Sequence, residues 1–154
     1  MNEKFINPLK VFQDRITYLP GIGESFPSYL MNRLQTNNIS LNETRLELGK
    51  RESWINWSQY SQHHSFYFDF DDNESLVRDW LRNSILRNYP FVVMEFGYQI
   101  PTAAIPLDIF IDYWYELVII AGYESVVLTD DGKLFMEFVR RDYSLKSNFL
   151  IKPL

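Results

Sequence analysis

Hydrophobic residues either alternate with polar ones or run unbroken in several segments, and these segments are the predicted strands. Residues 63–70 (HHSFYFDF) alternate phenylalanine with other side chains, which is typical of a strand. Residues 91–98 (FVVMEFGY) are mostly apolar without alternation, which indicates a strand buried on both faces. Residues 125–140 place two apolar runs around Asp130-Asp131-Gly132, and because Asp-Gly is a preferred hairpin turn they predict a β-hairpin. A last strand near residues 147–151 would extend this hairpin into a meander.

Apolar residues that recur three and four positions apart predict helices. A short helix is expected over residues 26–35, with Pro27 near its first turn. A second helix follows Asp71 and Glu74, which have the spacing of a capping box, and continues to about residue 88. Its buried stripe is predicted to consist of Leu76, Val77, Trp80, Leu81 and Ile85.

A third helix is predicted from about Pro106 to Ala121. Gly122 follows it directly and suits the left-handed conformation that often ends a helix. Pro101 and Pro106 are expected to enclose a rigid loop before this helix. Its core face is predicted to consist of Leu107, Phe110, Ile111, Trp114, Leu117, Val118 and Ala121.

The order of these elements predicts one α+β domain that spans residues 1–154. The sheet is expected to be antiparallel or mixed, with the helices packed on one face and a β-hairpin at the C-terminal end. Two glycines and two prolines in residues 19–27 mark a turn, which we interpret as a loop inside this domain. Residues 41–48 fit either a strand or a helix.

The composition is that of a folded domain and not of a disulfide-stapled secreted scaffold. Hydrophobic residues make up 46% of the chain and charged residues 23%, which is far from the composition of disordered chains. The chain contains no cysteine, which excludes disulfides, thiolate metal sites and a cysteine nucleophile. No apolar stretch is long enough for a signal peptide or a membrane span, so we expect a cytoplasmic protein.

The formal net charge of −5 is distributed unevenly along the chain. Residues 88–132 carry seven acidic residues and no lysine or arginine, whereas residues 133–154 carry five basic residues and two acidic ones. A long stretch with only negative charge would repel phosphates, which argues against nucleic acid as the direct ligand. A basic protein partner fits this charge distribution better.

No motif for a cofactor or a metal stands out. The GIG sequence of residues 21–23 lacks the third glycine of a dinucleotide-binding loop, and no phosphate-binding GxxxxGK[ST] sequence occurs. The acidic segment 69–74 lacks the glycine and the distant glutamate of a calcium-binding EF-hand loop. We therefore predict no cofactor and no metal.

His63 and His64 are the only histidines of the chain, and they are candidates for acid–base catalysis. Adjacent residues of a strand point to opposite faces, so the pair is poorly placed to bind one metal ion. One histidine could act as a general base with Asp69, Asp71 or Asp72, which leaves a small hydrolase-type enzyme as an alternative. The other interpretation is structural, with one histidine at the surface and one in a partly polar core position.

Asp108, Asp112 and Glu116 are spaced four residues apart, so they would line one face of the third predicted helix. Like charges at this spacing repel each other, and no lysine of the helix is placed to offset them. These residues form either an ordinary solvated face or a docking surface for a basic partner. Asp130 and Asp131 of the predicted hairpin would add to such a surface.

Trp54, Trp57 and Tyr60 are aromatic residues in an otherwise polar segment, SWINWSQYSQHH. Exposed tryptophan and tyrosine residues are typical anchors of protein–protein interfaces. The same pattern also arises where a loop is fixed to the core by its aromatic side chains. Both interpretations remain open from the sequence.

The sequence WYELVIIAGYESVVLTDDGKLFMEFVRRDY, residues 114–143, combines an acidic aromatic helix, a glycine and an Asp-Gly hairpin. In this combination the chain resembles immunity proteins of bacterial contact-dependent growth inhibition and related polymorphic toxin systems. The resemblance implies a small, acidic, cytoplasmic protein that is not an enzyme and that occludes the active site of a cognate toxin domain, often a basic nuclease. A non-inhibitory adaptor subunit is the other alternative, and the oligomeric state stays open. The residues expected to bind the partner are Asp108, Asp112, Glu116, Asp130, Asp131, Trp54, Trp57 and Tyr60.

Overall fold

A computed structural model describes residues 5–19, 34–42, 52–68, 73–96 and 100–153 of the chain. The strands are β1 (Thr17–Tyr18), β2 (His64–Tyr67), β3 (Phe91–Met94), β4 (Ala103–Pro106), β5 (Ser125–Leu128), β6 (Phe135–Val139) and β7 (Ser144–Ser147). The α-helices are α1 (Pro8–Val11), α2 (Asn73–Asn83), α3 (Leu107–Asp112) and α4 (Trp114–Ile120). Short 3-10 helices cover Trp57–Gln59 and Ile85–Asn88.

The strands form one seven-stranded sheet in the order β1-β4-β3-β5-β6-β7-β2, in which every pair is antiparallel. This confirms the predicted α+β class. The predicted hairpin is also confirmed, as β5 pairs with β6, although its connection spans residues 129–134 and is closed by a bond from the Thr129 N–H to the Leu134 carbonyl. The last strand, β7, covers Ser144–Ser147, so it begins three residues and ends four residues earlier than predicted.

Hydrophobic residues cover both faces of this sheet. The first face carries Met94, Val127 and Met136, which pack with residues of all four described α-helices in one cluster. The second face carries a separate cluster from the strands and from residues 34–39 and 54–57. Its buried members are Leu34, Ile39, Trp54, Ile55, Trp57, Val93, Val126, Leu128 and Phe135. The sequence analysis did not predict that any segment packs on the second face.

The predicted helix 106–121 consists of two helices, because the backbone leaves the helical conformation at Tyr113 (φ −124°, ψ 26°). The Tyr113 N–H still donates to the Ile109 carbonyl and the Leu117 N–H to the Tyr113 carbonyl, so α4 continues from α3. Gly122 ends α4 as predicted, with φ +75°. Most of the predicted core face is buried, and Leu107 is half-buried.

Other predicted boundaries differ from the structure. The loop expected between Pro101 and Pro106 contains β4, which pairs with both β1 and β3. Helix α2 ends at Asn83, and Leu76 and Ile85 are 47% and 49% exposed, so its buried stripe is shorter than predicted.

Several predictions fall wholly or partly outside the described residues. Of the helix expected over residues 26–35 only its end is described, and residues 34–36 are helical. Of segment 41–48 the structure describes Leu41, which forms an isolated bridge with Ile55, and Asn42. The turn at residues 20–27 and the capping residue Asp71 lie outside.

Candidate functional site

The aromatic residues proposed as partner anchors belong to the second hydrophobic cluster. Trp54 and Trp57 are 9% and 5% exposed. The buried carboxylate of Glu137 accepts hydrogen bonds from the Trp54 N–H (2.6 Å), the Ile55 N–H (3.2 Å) and the Trp57 indole N–H (2.9 Å). These contacts favour the second interpretation of the sequence, in which the tryptophans fix their segment to the core, here to strand β6.

Tyr60 and His63 continue the same packing. Tyr60 is half-buried, and its hydroxyl accepts a hydrogen bond from the Ser40 N–H (2.8 Å). The Nδ1 atom of His63 lies 2.7 Å from the Tyr60 carbonyl oxygen, and its ring packs 5.7 Å from that of Trp57. His63 therefore has a structural role in this fold.

The strand predicted from His63 begins one residue later, at His64, which lies opposite Ser147. Asp69, Asp71 and Asp72, the carboxylates considered as partners of the histidines, are outside the described residues. Within the described ranges no three His, Cys, Asp or Glu side chains come together in a way that could hold a metal ion.

Arginines from elsewhere in the chain form ion pairs with two of the three acidic residues that were predicted to line one helix face. We call these three residues, Asp108, Asp112 and Glu116, the acidic stripe. The two terminal guanidinium nitrogens of Arg15 donate to the Asp108 carboxylate at 2.9 Å, and Arg82 donates to Asp112 at 3.2 Å. The bond from Arg15 lowers the pKa of Asp108. Both pairs are exposed, so each contributes little to stability. These ion pairs reduce the negative electrostatic potential that the acidic stripe would present to a partner.

Glu116, the third residue of the acidic stripe, is half-buried. Desolvation raises the pKa of its carboxyl, and the nearby charge of Glu74 raises it further, while Arg78 acts in the opposite direction. The Oε2 atom of Glu116 is buried without a hydrogen-bond partner among the described residues. Glu116 is therefore less suited to surface docking than the sequence indicates.

The hairpin connection holds Asp131 in a fixed orientation. Its carboxylate accepts hydrogen bonds from the Thr129 hydroxyl (2.6 Å), the Lys133 N–H (3.0 Å) and the Tyr89 hydroxyl (3.0 Å). Desolvation raises the pKa of Asp131, but these hydrogen bonds outweigh it and the pKa is lowered overall. Asp131 therefore stays negatively charged at neutral pH.

An open groove of about 430 Å³ lies on the second face of the sheet, where β1, β4 and β3 meet. Among the described residues its wall is mostly apolar, and the polar members are Arg15, Thr17 and Asp130. The apolar members are Leu19, Pro90, Phe91, Val93, Ala104 and Pro106.

One of the five acidic residues predicted from the sequence lines the groove, and two others contact residues in or next to its wall. Asp130 lines it, Asp108 holds the guanidinium group of Arg15, and Asp131 bonds Tyr89, which precedes Pro90 of the wall. Asp112 and Glu116 are not among the residues that line it.

The groove was missed because residues 101–106 were predicted as a loop. The small side chain of Ala104 leaves space above β4, between β1 and β3. The available signal was the short apolar run TAAI between the two prolines, which fits a buried strand as well as a loop.

The chain matches no protein-family model and no curated protein. Within the part of the chain that the structure describes, no helix has the length and apolar character needed to cross a membrane.

Proposed function

We propose that this protein is a bacterial immunity protein of the contact-dependent growth inhibition type. It acts in the cytoplasm by binding one copy of a cognate toxin domain, a basic protein such as a nuclease, and occluding its active site. The observation that carries the proposal is the apolar groove beside β1, β4 and β3 with acidic residues in and next to it.

The groove combines the two properties that a specific protein interface requires. An apolar surface that becomes dry on binding supplies affinity, and charged residues around it accelerate association and reject partners of the same charge. Asp130 and Asp131 supply such charge, and hydrogen bonds fix the carboxylate of Asp131.

A toxin inhibitor needs tight binding and no turnover. The histidine-based hydrolase stays an alternative, but the contacts of His63 with Tyr60 and Trp57 favour a structural role for that side chain. A non-inhibitory adaptor would use the same groove without blocking the activity of its partner.

The proposal is tested by isolating the partner and measuring its activity. The tagged protein is purified from its source cell, and a co-purifying partner is identified by mass spectrometry. The partner is separated under denaturing conditions, refolded and assayed for nuclease activity and toxicity. We expect a basic partner, bound one to one, that is toxic when free and inactive again after remixing.

Three outcomes contradict the proposal. A partner that keeps its activity in the complex identifies an adaptor. A protein that purifies alone under all conditions and hydrolyses substrates in a manner that depends on His63 or His64 identifies an enzyme. A nucleic acid as the direct ligand also contradicts it.

A further inference from the structure

We infer that a cleft between strand β2 and helix α2 binds an extended acidic segment of a protein, which adds a further strand to the sheet. The cleft has a volume of about 440 Å³, and we call it the β2–α2 cleft. It lies at the opposite edge of the sheet from β1, so the inference goes beyond the proposed function and does not rest on it. The described residues that line it are Ser65, Phe66, Tyr67, Asn73, Trp80 and Lys152.

The outer edge of β2 exposes backbone hydrogen-bonding groups. β2 is the last strand in the sheet order and pairs with β7 on its inner side. The Phe68 N–H donates to the Tyr143 carbonyl, just before β7 (2.9 Å), and antiparallel bonds alternate along a strand. The N–H and carbonyl of Ser65 and the carbonyl of Tyr67 therefore point outward. The side chain of Asn73 agrees with this direction, because it donates to the Tyr67 carbonyl at 3.1 Å.

Ser65 is the residue at which a further strand can pair. It is exposed, and its outward N–H and carbonyl have no partner among the described residues. Extended peptides bind exposed sheet edges through such backbone groups. Beside Ser65 the cleft has an apolar wall, because the half-buried ring of Trp80 packs edge-on against Phe66 at 5.3 Å. The backbone of the peptide bonds Ser65, and its alternate side chains contact this wall.

The charges around the cleft favour an acidic segment. The Lys152 ammonium lies 5.7 Å from the centre of the Trp80 ring, and the Lys146 ammonium donates to the Ser65 hydroxyl at 3.3 Å. Among the described residues neither lysine has a carboxylate partner, whereas both acidic residues of α2 are paired with arginines of the same helix. The lysines attract carboxylates, and they repel the same edge of a second copy of the chain.

The test is a titration of the ¹⁵N-labelled full-length protein with three acetylated pentapeptide amides, followed by NMR. The first has the sequence threonine, glutamate, valine, glutamate, threonine, and the second has glutamine in place of both glutamates. The third is the first with N-methyl groups on the valine and on the second glutamate, so that either register lacks a backbone donor. We expect the first peptide to shift the Ser65 amide and the Trp80 indole N–H.

The second and third peptides separate charge from strand addition. We expect the glutamine peptide to bind about two- to fivefold more weakly than the glutamate peptide, the range for one exposed ion pair. We expect the N-methylated peptide to bind about tenfold more weakly, because it loses a backbone hydrogen bond and brings a methyl group against the edge.

One variant and a matched control test the charge. Lys152→Gln is expected to weaken the glutamate peptide by about two- to fivefold and to leave the glutamine peptide unchanged. Lys10→Gln removes an exposed charge of α1 outside the cleft and is expected to change neither. Asp69, Asp71 and Asp72 follow β2 in the sequence and lie outside the described residues. The glutamine peptide therefore also measures whether the net charge at this edge favours an anion.

A second pair of variants tests the backbone contact. Ser65→Pro removes the outward N–H and no bond to β7, since proline is tolerated on edge strands, and it is expected to weaken both unmethylated peptides. Ser65→Ala keeps the N–H and is expected to change neither. Unchanged far-UV circular dichroism shows that each variant is folded, and the N-methylated peptide suffices if Ser65→Pro does not fold.

Equal binding of the glutamate and glutamine peptides, equal binding of the N-methylated peptide, or shifts confined to another surface would overturn the inference. An oligonucleotide that shifts the Ser65 amide at lower concentration than the glutamate peptide would also overturn it, because the occupant would be a nucleic acid. A Ser65 shift that changes when the protein alone is diluted would identify a second copy of the chain as the occupant and overturn it as well.

Discussion

At the scale of single residues, Glu137 is the side chain that holds residues 54–57 on the second face of the sheet. It is 2% exposed, and its carboxylate accepts from three N–H groups of residues 54–57. Each buried donor that loses its acceptor costs about 1–3 kcal/mol. We expect Glu137→Ala to lower the free energy of unfolding by about 3–5 kcal/mol, measured by urea denaturation.

Glu137→Gln separates the hydrogen bonds from the packing. Glutamine keeps the shape and one acceptor oxygen, so we expect a smaller loss of about 1–3 kcal/mol. Asp79→Asn at the exposed surface of α2 is the control and should stay within about 0.5 kcal/mol of wild type. A loss below about 1 kcal/mol for Glu137→Ala would show that the segment is held by its aromatic packing alone.

Glu116 gives a prediction of the opposite sign. The raised pKa means that the folded protein binds a proton at Glu116 more tightly than the unfolded chain does. This group therefore favours folding below the unfolded pKa of about 4.5, and the contribution is lost as the pH rises through the higher folded pKa. We expect Glu116→Gln to be more stable than wild type at pH 7 by about 0.2–0.5 kcal/mol, the size of one like-charge pair.

Thermal melts of Glu116→Gln at pH 7 and pH 4 test this sign. Most of the gain at pH 7 should disappear at pH 4, where wild-type Glu116 is mostly protonated in both states. Asp112→Asn is the matched control, because Asp112 is exposed and bonded to Arg82, so that its removal should give no gain at pH 7. A Glu116→Gln variant less stable than wild type at pH 7 would contradict the unfavourable burial of this carboxylate.

Pairings between distant residues limit what the sequence could predict at this scale. The helical spacing of Asp108, Asp112 and Glu116 is visible in the sequence, but Arg15 approaches Asp108 from 93 positions away. Glu137 reaches the Trp54 backbone across 83 positions. Such contacts depend on the sheet order, so the sequence identified the acidic residues and the aromatic residues but not which of them are neutralised or buried.

At the scale of elements, two glycines form a matched pair. Gly132 in the hairpin connection and Gly122 after α4 have φ values of +71° and +75°. A Cβ at Gly122 would meet no atom, whereas a Cβ at Gly132 would overlap the side chain of Asn37. Alanine in the left-handed region costs roughly 1–2 kcal/mol at either position, so the contact with Asn37 is the difference between them.

We expect Gly122→Ala to lower the free energy of unfolding by about 1 kcal/mol and Gly132→Ala by about 1–3 kcal/mol more. Urea denaturation of both variants measures the difference. Gly132→Ala combined with Asn37→Ala should recover part of the extra loss, because the overlap is relieved. Equal losses in the two single variants would show that Asn37 moves aside without cost.

The elements that the sequence predicted well are those whose pattern is local. The hairpin and strand β3 are continuous apolar runs, and the core face of α3 and α4 keeps its spacing across Tyr113 because α4 continues from α3. Strand β4 was missed because prolines at 101 and 106 resemble loop boundaries. Pro106 is tolerated as the last residue of its strand, where the next N–H, of Leu107, bonds the Pro90 carbonyl.

At the scale of the whole molecule, the sheet connects the two hydrophobic clusters. Neighbouring residues of one strand point to opposite faces, so Val127 belongs to the first cluster and Leu128 to the second. A strand that leaves the sheet therefore disrupts both clusters at once. We therefore expect the sheet and its two hydrophobic clusters to unfold together.

Two leucine substitutions test whether unfolding is a single transition. Leu128→Ala removes a buried side chain from the second cluster, and Leu145→Ala removes one from the first. We expect each to lower the free energy of unfolding by about 2–5 kcal/mol and to move the whole transition, with coincident midpoints by tryptophan fluorescence and far-UV circular dichroism. Leu76→Ala at the exposed face of α2 is the control and should shift the midpoint little.

If Leu128→Ala instead splits the unfolding curve into two steps, the segment over the second face folds separately from the sheet. In that case the groove at the edge of the same face would need to be examined as part of an independent unit, because its wall shares Val93 with the second cluster.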